Sequence, residues 1–134
     1  MGSELFYNRE VQRLDRKLYP RKEIINRVIG SKQFMDQNFH TKLDLDSVVG
    51  KTFLSKFHYI RLFKSCYGIT PHQYLISVRV KNAKELLLKD VSVSEVCEGV
   101  GFESHSSFAG LFKKYAGMSP SSFQSKYKKA ILEK

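Results

Sequence analysis

The side chains best suited to chemistry in this sequence are cations interleaved with aromatic and hydroxyl groups. The segment KFHYIRLFKS at positions 56–65 carries Arg61 beside Phe57 and Ile60. A guanidinium can donate two hydrogen bonds to guanine in the DNA major groove, and apolar groups can contact the thymine methyl. We therefore expect Arg61 to read a base, with a solvated arginine or a phosphate contact as the alternative. Phe57 and Ile60 either meet a partner or pack on a neighbouring helix.

Composition and charge narrow the class of partner. The 134 residues include 23 lysines and arginines against 13 acidic residues, which leaves a formal charge of +10 at neutral pH. Such a charge favours nucleic acid or another polyanion. The longest purely aliphatic run covers only residues 86–88, whereas a membrane-crossing helix needs roughly 20 apolar residues. We therefore expect no contact with a membrane.

The sequence contains no recognisable catalytic or metal-binding arrangement. Its four histidines are scattered, and no acidic pair lies beside a nucleophile motif. The sequence also has no glycine-rich phosphate loop and no HExxH segment. The two cysteines, Cys66 and Cys97, are too few for a disulfide scaffold, and both fall on apolar helix stripes. We predict that both are packed as small hydrophobic residues, and that the protein is not an enzyme and has no cofactor and no metal.

An internal repeat organises the chain. When residues 53–74 are laid over residues 102–123, a shift of 49, about ten positions pair like with like. The pairs are Ser55 with Ser104, Tyr59 with Phe108, Leu62 with Leu111, Phe63 with Phe112, Lys64 with Lys113, Gly68 with Gly117, Thr70 with Ser119, Pro71 with Pro120 and Tyr74 with Phe123, and Phe53 falls on Phe102. The two segments are therefore interpreted as one motif used twice.

Each copy has the pattern of a short helix, a turn and a longer helix. The longer helix of the first copy carries Tyr59, Leu62, Phe63 and Cys66 at i, i+3, i+4 and i+7, and a glycine follows it. The shorter stripes upstream align with a shift of 48, which pairs Leu45, Val48, Val49 and Leu54 with Val93, Val96, Cys97 and Phe102. The change from 48 to 49 places one extra residue in the second turn, near residues 101–103. This arrangement is typical of a helix-turn-helix unit.

The pattern also predicts the limits of each segment. We expect a helix from about Lys22 to Asn38, and new helices where Thr70-Pro71 and Ser119-Pro120 supply an N-cap and a first helical residue. The chain divides into an arm at 1–21, which could instead be a short helix or part of a connector, and a domain at 22–134. Within the domain we predict a first helix-turn-helix at 45–67, a linker helix at 70–89, a second helix-turn-helix at 93–116 and a final helix at 119–129. The linker carries an apolar stripe at Ile76, Val80, Ala83 and Leu87.

Cations and hydroxyl groups near the two longer helices suit phosphate contact, which positions a protein on DNA without reading its sequence. The candidates are Ser55, Lys56, Lys64, Arg79, Lys81, Ser104, Lys113 and Lys114. For any single lysine, a solvated surface charge is the alternative. Gly110 stands where the first helix has Arg61, so we expect weaker sequence reading by the second helix. The other interpretation is that Gly110 allows close approach to DNA or to another element.

Two stretches of the sequence carry a family resemblance. LSKFHYIRLFK followed by GITPHQYL, and VSEVCEGVGFESHSSFAGLFKKYAGMSPSSF, resemble the AraC/XylS family of regulators over about residues 24–127. The resemblance implies an all-α domain of seven helices, in which two helix-turn-helix lobes joined by a long helix place recognition helices in successive major-groove segments. By matching position it implies base contacts from Phe57, Ile60, Arg61, His105, Ser106, Ala109 and Gly110.

The resemblance also bears on partners. It implies double-stranded DNA, RNA polymerase and a bacterial cytoplasmic location at the nucleoid. The sequence departs from the family at Gly110, where many members carry arginine, and at Ile60, where polar residues are common. Only about twenty residues precede the first predicted helix, so no small-molecule effector site is expected, and the chain resembles a single-domain member or an excised output domain. The rival functions are a non-specific architectural DNA-binding protein and an adaptor that uses Phe57 and Ile60.

Overall fold

The computed structural model describes residue 9 and residues 21–132, and within that part of the chain it contains seven α-helices and no strand. We number them α1 (Arg21–Asn38), α2 (Leu45–Gly50), α3 (Lys56–Tyr67), α4 (Pro71–Leu88), α5 (Val93–Gly99), α6 (His105–Ala116) and α7 (Pro120–Leu132). The predicted all-α class is confirmed. Apart from residues 9 and 21, the arm predicted at 1–21 lies outside the described residues. None of the described helices is both long and apolar enough to cross a membrane.

Short polar side chains start the helices. Asp44, Ser55, Thr70, Ser92 and Ser104 each accept a hydrogen bond from the backbone amide three residues on, which satisfies one of the free donors at a helix start. At the start of α4 the side-chain oxygen of Gln73 also accepts a hydrogen bond from the backbone amide of Thr70, which completes a capping box. The predicted start at Thr70-Pro71 is therefore confirmed.

Two hydrophobic cores divide the described residues into two lobes. The first lobe is formed by α1, α2, α3 and the start of α4, around residues that include Val28, Met35, Val48, Tyr59, Phe63 and Leu75. The second lobe is formed by the rest of α4 with α5, α6 and α7, around residues that include Ala83, Leu87, Val96, Phe108, Phe112 and Phe123. Each lobe therefore contains one helix-turn-helix unit and buries its longer helix along one stripe.

The linker helix α4 belongs mainly to the second lobe. The whole stripe predicted for it, Ile76, Val80, Ala83 and Leu87, is buried in the second core, whereas Leu75 is its buried contribution to the first core. The helix α4 precedes the second unit as α1 precedes the first, and it packs on α5 and α6 as α1 packs on α2 and α3. The helix is thus a structural part of one lobe as well as a connector.

The two turns differ by one residue, as the shift from 48 to 49 predicted. A residue with positive φ occurs in each turn, Phe53 at +58° and Gly101 at +90°, and a buried residue follows each of them, Leu54 and Phe102. The extra residue of the second turn is therefore Glu103. The shift of 48 pairs Leu54 with Phe102, and this pairing is confirmed because both are buried. The pairing of Phe53 with Phe102 under the shift of 49 was wrong, because Phe53 is 75% exposed and its structural counterpart is Gly101.

The two cysteines have different environments. Cys97 is buried, as predicted, whereas the prediction for Cys66 was wrong, because Cys66 is exposed. The buried stripe of α3 continues by a step of four from Phe63 to Tyr67, whose rings lie 4.8 Å apart. Cys66 therefore falls beside the stripe and not on it.

Candidate nucleic-acid interface

The outward face of α3 presents an aromatic ring and a guanidinium together. Phe57 lies in the first turn of the helix and is 54% exposed. Arg61, one turn later and also exposed, lies over this ring at 5.5 Å from guanidinium carbon to ring centroid. The ring therefore helps to orient the guanidinium by a cation–π contact, while the donors at its edge remain able to meet a base.

Ile60 lies differently from Phe57. It is half-buried and packs against the first core. The sequence left open whether these residues pack on a neighbouring helix or meet a partner. Ile60 packs on its neighbours, whereas Phe57 is exposed and free to meet a partner. An isoleucine at the edge of the core presents only part of its surface to a partner. This packing also explains why an apolar residue is stable at position 60, where polar residues are common in the AraC/XylS family.

The outward face of α6 is exposed and made of small or polar side chains. His105, Ser106, Ala109 and Gly110 are all exposed. A Cβ added at Gly110 would have nothing within 4 Å. Within the part of the chain described, no other element therefore approaches Gly110. This removes close packing on another element as the reason for the glycine and leaves close approach to DNA or weaker sequence reading.

The first testable prediction concerns Gly110. Replacing it with alanine should stabilise the fold by about 0.5–1 kcal/mol, because the added methyl group meets nothing and glycine is a poor helix residue. Urea unfolding measures this change. If the second helix reads sequence weakly, affinity for a duplex selected from a randomised library stays unchanged. A tenfold or larger loss would instead show that DNA approaches the helix at Gly110.

The candidate phosphate contacts lie at two kinds of place. Ser55 and Ser104 are the N-caps of α3 and α6; each hydroxyl accepts from a backbone amide and keeps its own proton to donate. A helix N-terminus also favours an anion. The five lysines of the set are exposed; they are Lys56, Lys64, Lys81, Lys113 and Lys114. Lys56 pairs with Asp46 of α2 at 2.9 Å, so phosphate contact would require it to exchange one anionic partner for another.

Arg79 has a position unlike the rest of the predicted phosphate set. Its guanidinium donates to three main-chain carbonyls, those of Phe39 at 2.9 Å, Thr41 at 3.1 Å and Leu43 at 3.3 Å. Burial lowers the pKa of Arg79, and the nearby carboxylate of Glu103 acts in the opposite direction. These bonds engage the guanidinium inside the protein, so we assign Arg79 to the contact between the lobes and not to the phosphate set.

Sequence reasoning did not single out Phe53. Its ring is the most exposed large hydrophobic side chain among those described, and the guanidinium of Arg27 from α1 lies 5.6 Å from its centroid. The alignment with Phe102 hid this residue, because a phenylalanine opposite a core phenylalanine suggests burial. The shift of 48 upstream of the turn was the signal that could have separated them.

The sequence of this chain is similar to those of known transcription regulators. A family model described as a helix-turn-helix domain matches residues 48–126. The probable transcriptional regulator LumQ of Photobacterium leiognathi is 36% identical over 92 residues, which cover 68% of this chain and 37% of that protein. The MmsAB operon regulatory protein of Pseudomonas aeruginosa is 33% identical over 96 residues, which cover 71% of this chain and 31% of that protein.

A third relative carries an additional activity in its name. The bifunctional transcriptional activator/DNA repair enzyme AdaA of Bacillus subtilis is 34% identical over 93 residues, which cover 69% of this chain and 44% of that protein. The chain therefore spans less than half the length of each of these three curated relatives.

Two solved structures have the same fold over most of the chain. The DNA-binding domain of the global transcriptional factor AdpA, solved in complex with a target DNA, matches with a TM-score of 0.74 and 29% identity over 77% of this chain and 94% of that one. The C-terminal domain of AraT, a response regulator from Geobacillus stearothermophilus, matches with a TM-score of 0.71 and 29% identity over 75% of this chain and 84% of that one.

Proposed function

This chain belongs to the AraC/XylS family of helix-turn-helix regulators, and from that membership we propose that it is a transcription regulator that binds double-stranded DNA sequence-specifically through two recognition helices. The helices are α3 and α6, each inserted in one of two successive major-groove segments. Recognition helices of this kind read base edges with residues near their start.

One observation carries the proposal most directly. The fold matches that of a domain whose structure contains its target DNA, over more than three quarters of this chain. The two units also repeat each other in detail: α3 and α6 have the same length of 12 residues, the same serine cap and the same left-handed glycine at their ends. A chain with two such units has two helices of the same geometry to present to DNA, which a protein that binds through one unit would not need.

The proposed roles follow the exposed faces. Phe57, Ile60 and Arg61 in α3, and His105, Ser106, Ala109 and Gly110 in α6, are proposed to face bases, with Ile60 contributing only its exposed edge. Ser55 and Ser104, with the five exposed lysines, are proposed to hold phosphates. RNA polymerase as a partner, a cytoplasmic location at the nucleoid and a non-enzymatic role are proposals that rest on family membership.

Selection of bound sequences from a randomised duplex library at about physiological salt tests the proposal. An asymmetric motif with two blocks about 10 base pairs apart, one helical turn, is the expected result. Binding without enrichment would contradict sequence specificity and indicate an architectural protein. No binding to any duplex would contradict the function itself and leave an adaptor role as the remaining candidate.

A second prediction addresses Arg61. Its replacement by alanine should cost about 1–3 kcal/mol on the selected duplex and relax the preference at one base pair, because a bidentate contact to guanine is lost. Titration of the variant against the selected duplex and against duplexes with each base changed measures both effects. Arg61→Lys is the matched control, since it keeps the charge and removes the fork. Equal losses on all duplexes would make Arg61 a phosphate contact.

A further inference from the structure

The loop that joins α1 to α2 crosses from the first lobe to the second. We call residues 39–44 the crossing loop. Three of its carbonyl groups, those of Phe39, Thr41 and Leu43, accept hydrogen bonds from the guanidinium of Arg79. Arg79 lies on the part of α4 that is packed in the second lobe, between the buried residues Ile76 and Ala83. One side chain of the second lobe therefore holds the main chain of the first.

The turn of the second helix-turn-helix unit contacts the same main chain. A Cβ added at Gly101 would lie 2.4 Å from the carbonyl oxygen of Phe39 and 2.8 Å from that of Thr41. Neither distance is compatible with a side chain, and both acceptors are backbone atoms that cannot rotate away. Arg79 and the Gly101 turn thus both contact the crossing loop, and two of its carbonyls, those of Phe39 and Thr41, meet both groups.

Side chains around this contact join the two cores. Phe39 packs partly buried against both of them, and the guanidinium of Arg79 lies 5.8 Å from the ring centroid of Phe102 in the second core. Glu103, the residue that the second turn has in excess of the first, is the acidic group whose charge acts on Arg79. The residue inserted in this turn relative to the first therefore lies at the junction between lobes.

We propose that Arg79, Gly101 and the crossing loop form an interlobe clamp that fixes the angle between α3 and α6 and thereby determines the spacing of the two DNA segments that the chain accepts. A single helix between two lobes can bend and twist about its axis, whereas a second attachment away from that axis opposes both motions. The spacing part rests on the proposed function, and the angular part does not. In these terms Arg79 and Gly101 are positioning residues.

The spacing dependence of binding tests the clamp on DNA. Adding one base pair between the two selected blocks moves the second by about 3.4 Å and rotates it by roughly 35°. The wild type should lose about tenfold or more in affinity at one base pair from the optimum, comparable to a mismatched base pair. Arg79→Met keeps the apolar stem and removes the donors, so its profile should be flatter, about threefold or less per base pair. Lys84→Met, a similar loss of charge on the same helix, should keep the sharp profile.

A distance measurement without DNA tests the angular part separately. The exposed Cys66 in the first lobe and a cysteine introduced by Glu98→Cys in the second provide two spin-label positions, while Cys97 is buried. Pulsed dipolar spectroscopy should give a narrow distance distribution for the parent and a broad one for Arg79→Met. If the parent shows no preference for two blocks but the distribution still broadens in the variant, the proposed function fails and the clamp stands. Equal widths with equal spacing profiles would overturn the clamp.

Gly101→Ala gives an independent variant with a matched control. Gly101 and Gly117 both have φ near +85°, at +90° and +83°, but a Cβ at Gly117 would meet nothing within 4 Å. Both alanine variants therefore have the backbone strain, and only Gly101→Ala pushes against the crossing loop. Broadened distances in Gly101→Ala and not in Gly117→Ala, at a temperature where both are folded by circular dichroism, support the clamp. Equal behaviour of the two variants would contradict it.

Discussion

Replacing Phe112 with alanine is expected to cost about 3–5 kcal/mol of the free energy of unfolding, the range for removing a fully buried aromatic ring. Phe112 is completely buried, and its ring contacts those of Phe108 and Phe123 edge to face, at centroid distances of 5.7 and 5.5 Å. These rings join α6 to α7, so the cavity would lie where the second recognition helix is held. Urea unfolding followed by circular dichroism measures the loss.

Tyr115→Ala is the control for Phe112→Ala. It removes an aromatic ring from the same helix, but Tyr115 is an exposed residue, so its loss should cost much less. In DNA selection, the Phe112 variant should keep the block read by α3 and lose the block read by α6, as long as the first lobe remains folded. A cost below about 1 kcal/mol for Phe112→Ala would contradict the packing of the second core, because it would imply an exposed or adaptable site.

Affinity for duplex DNA is expected to fall roughly 500-fold between 50 and 200 mM salt if the five exposed lysines of the phosphate set each neutralise one phosphate. Each neutralised phosphate contributes a slope of about −0.9 in log K against log salt, so five give about −4.5. The lysines lie on α3, α4 and α6 and are all exposed. Equilibrium titration at several salt concentrations measures the slope on both selected and random duplexes.

Single lysine variants separate phosphate contacts from solvated charges. Lys113→Gln should reduce the magnitude of the salt slope by about 0.9. It should also weaken binding to every sequence by about the same factor. Lys89→Gln is the control, because Lys89 caps the far end of α4, beside Asp90 and its ion pair with Lys128. An unchanged slope for Lys113→Gln would remove Lys113 from the phosphate set, and equal effects of the two variants would show that total charge alone sets the affinity.

The first lobe differs from the second in the polar groups that its core contains. Among the described residues, the buried polar side chains are Ser31 and Thr52, both in the first lobe. The hydroxyl of Tyr59 donates to that of Ser31 at 2.8 Å, and Ser31 donates to the carbonyl of Val28. Burial is the main cause of the raised pKa of Tyr59. The corresponding residue in the second lobe is Phe108, which needs no such partner, so the repeat conserves ring packing and not the hydrogen bonds around it.

The local signals in the sequence were enough to define the helices. Capping residues, helix-ending glycines and apolar spacing act over one or two turns, so their effect is written in neighbouring residues. The predicted starts at Thr70-Pro71 and Ser119-Pro120, and the ends at Gly68 and Gly117, agree with the structure. The repeat then determined the fold class, because two helix-turn-helix units in so short a chain need one connecting helix.

The long-range contacts were decided only by the tertiary structure. The sequence placed Arg79 among phosphate contacts, because nothing local shows that three carbonyls about 40 residues away lie within its reach. The bonds from Gln124 to the carbonyls of Leu87 and Val91 were equally invisible. Backbone acceptors have the same chemistry at every residue, so sequence carries no mark of which carbonyl a distant donor will meet. Periodicity therefore fixed the helices and their exposed faces, while packing alone fixed which donors remain for DNA and how the two lobes are joined.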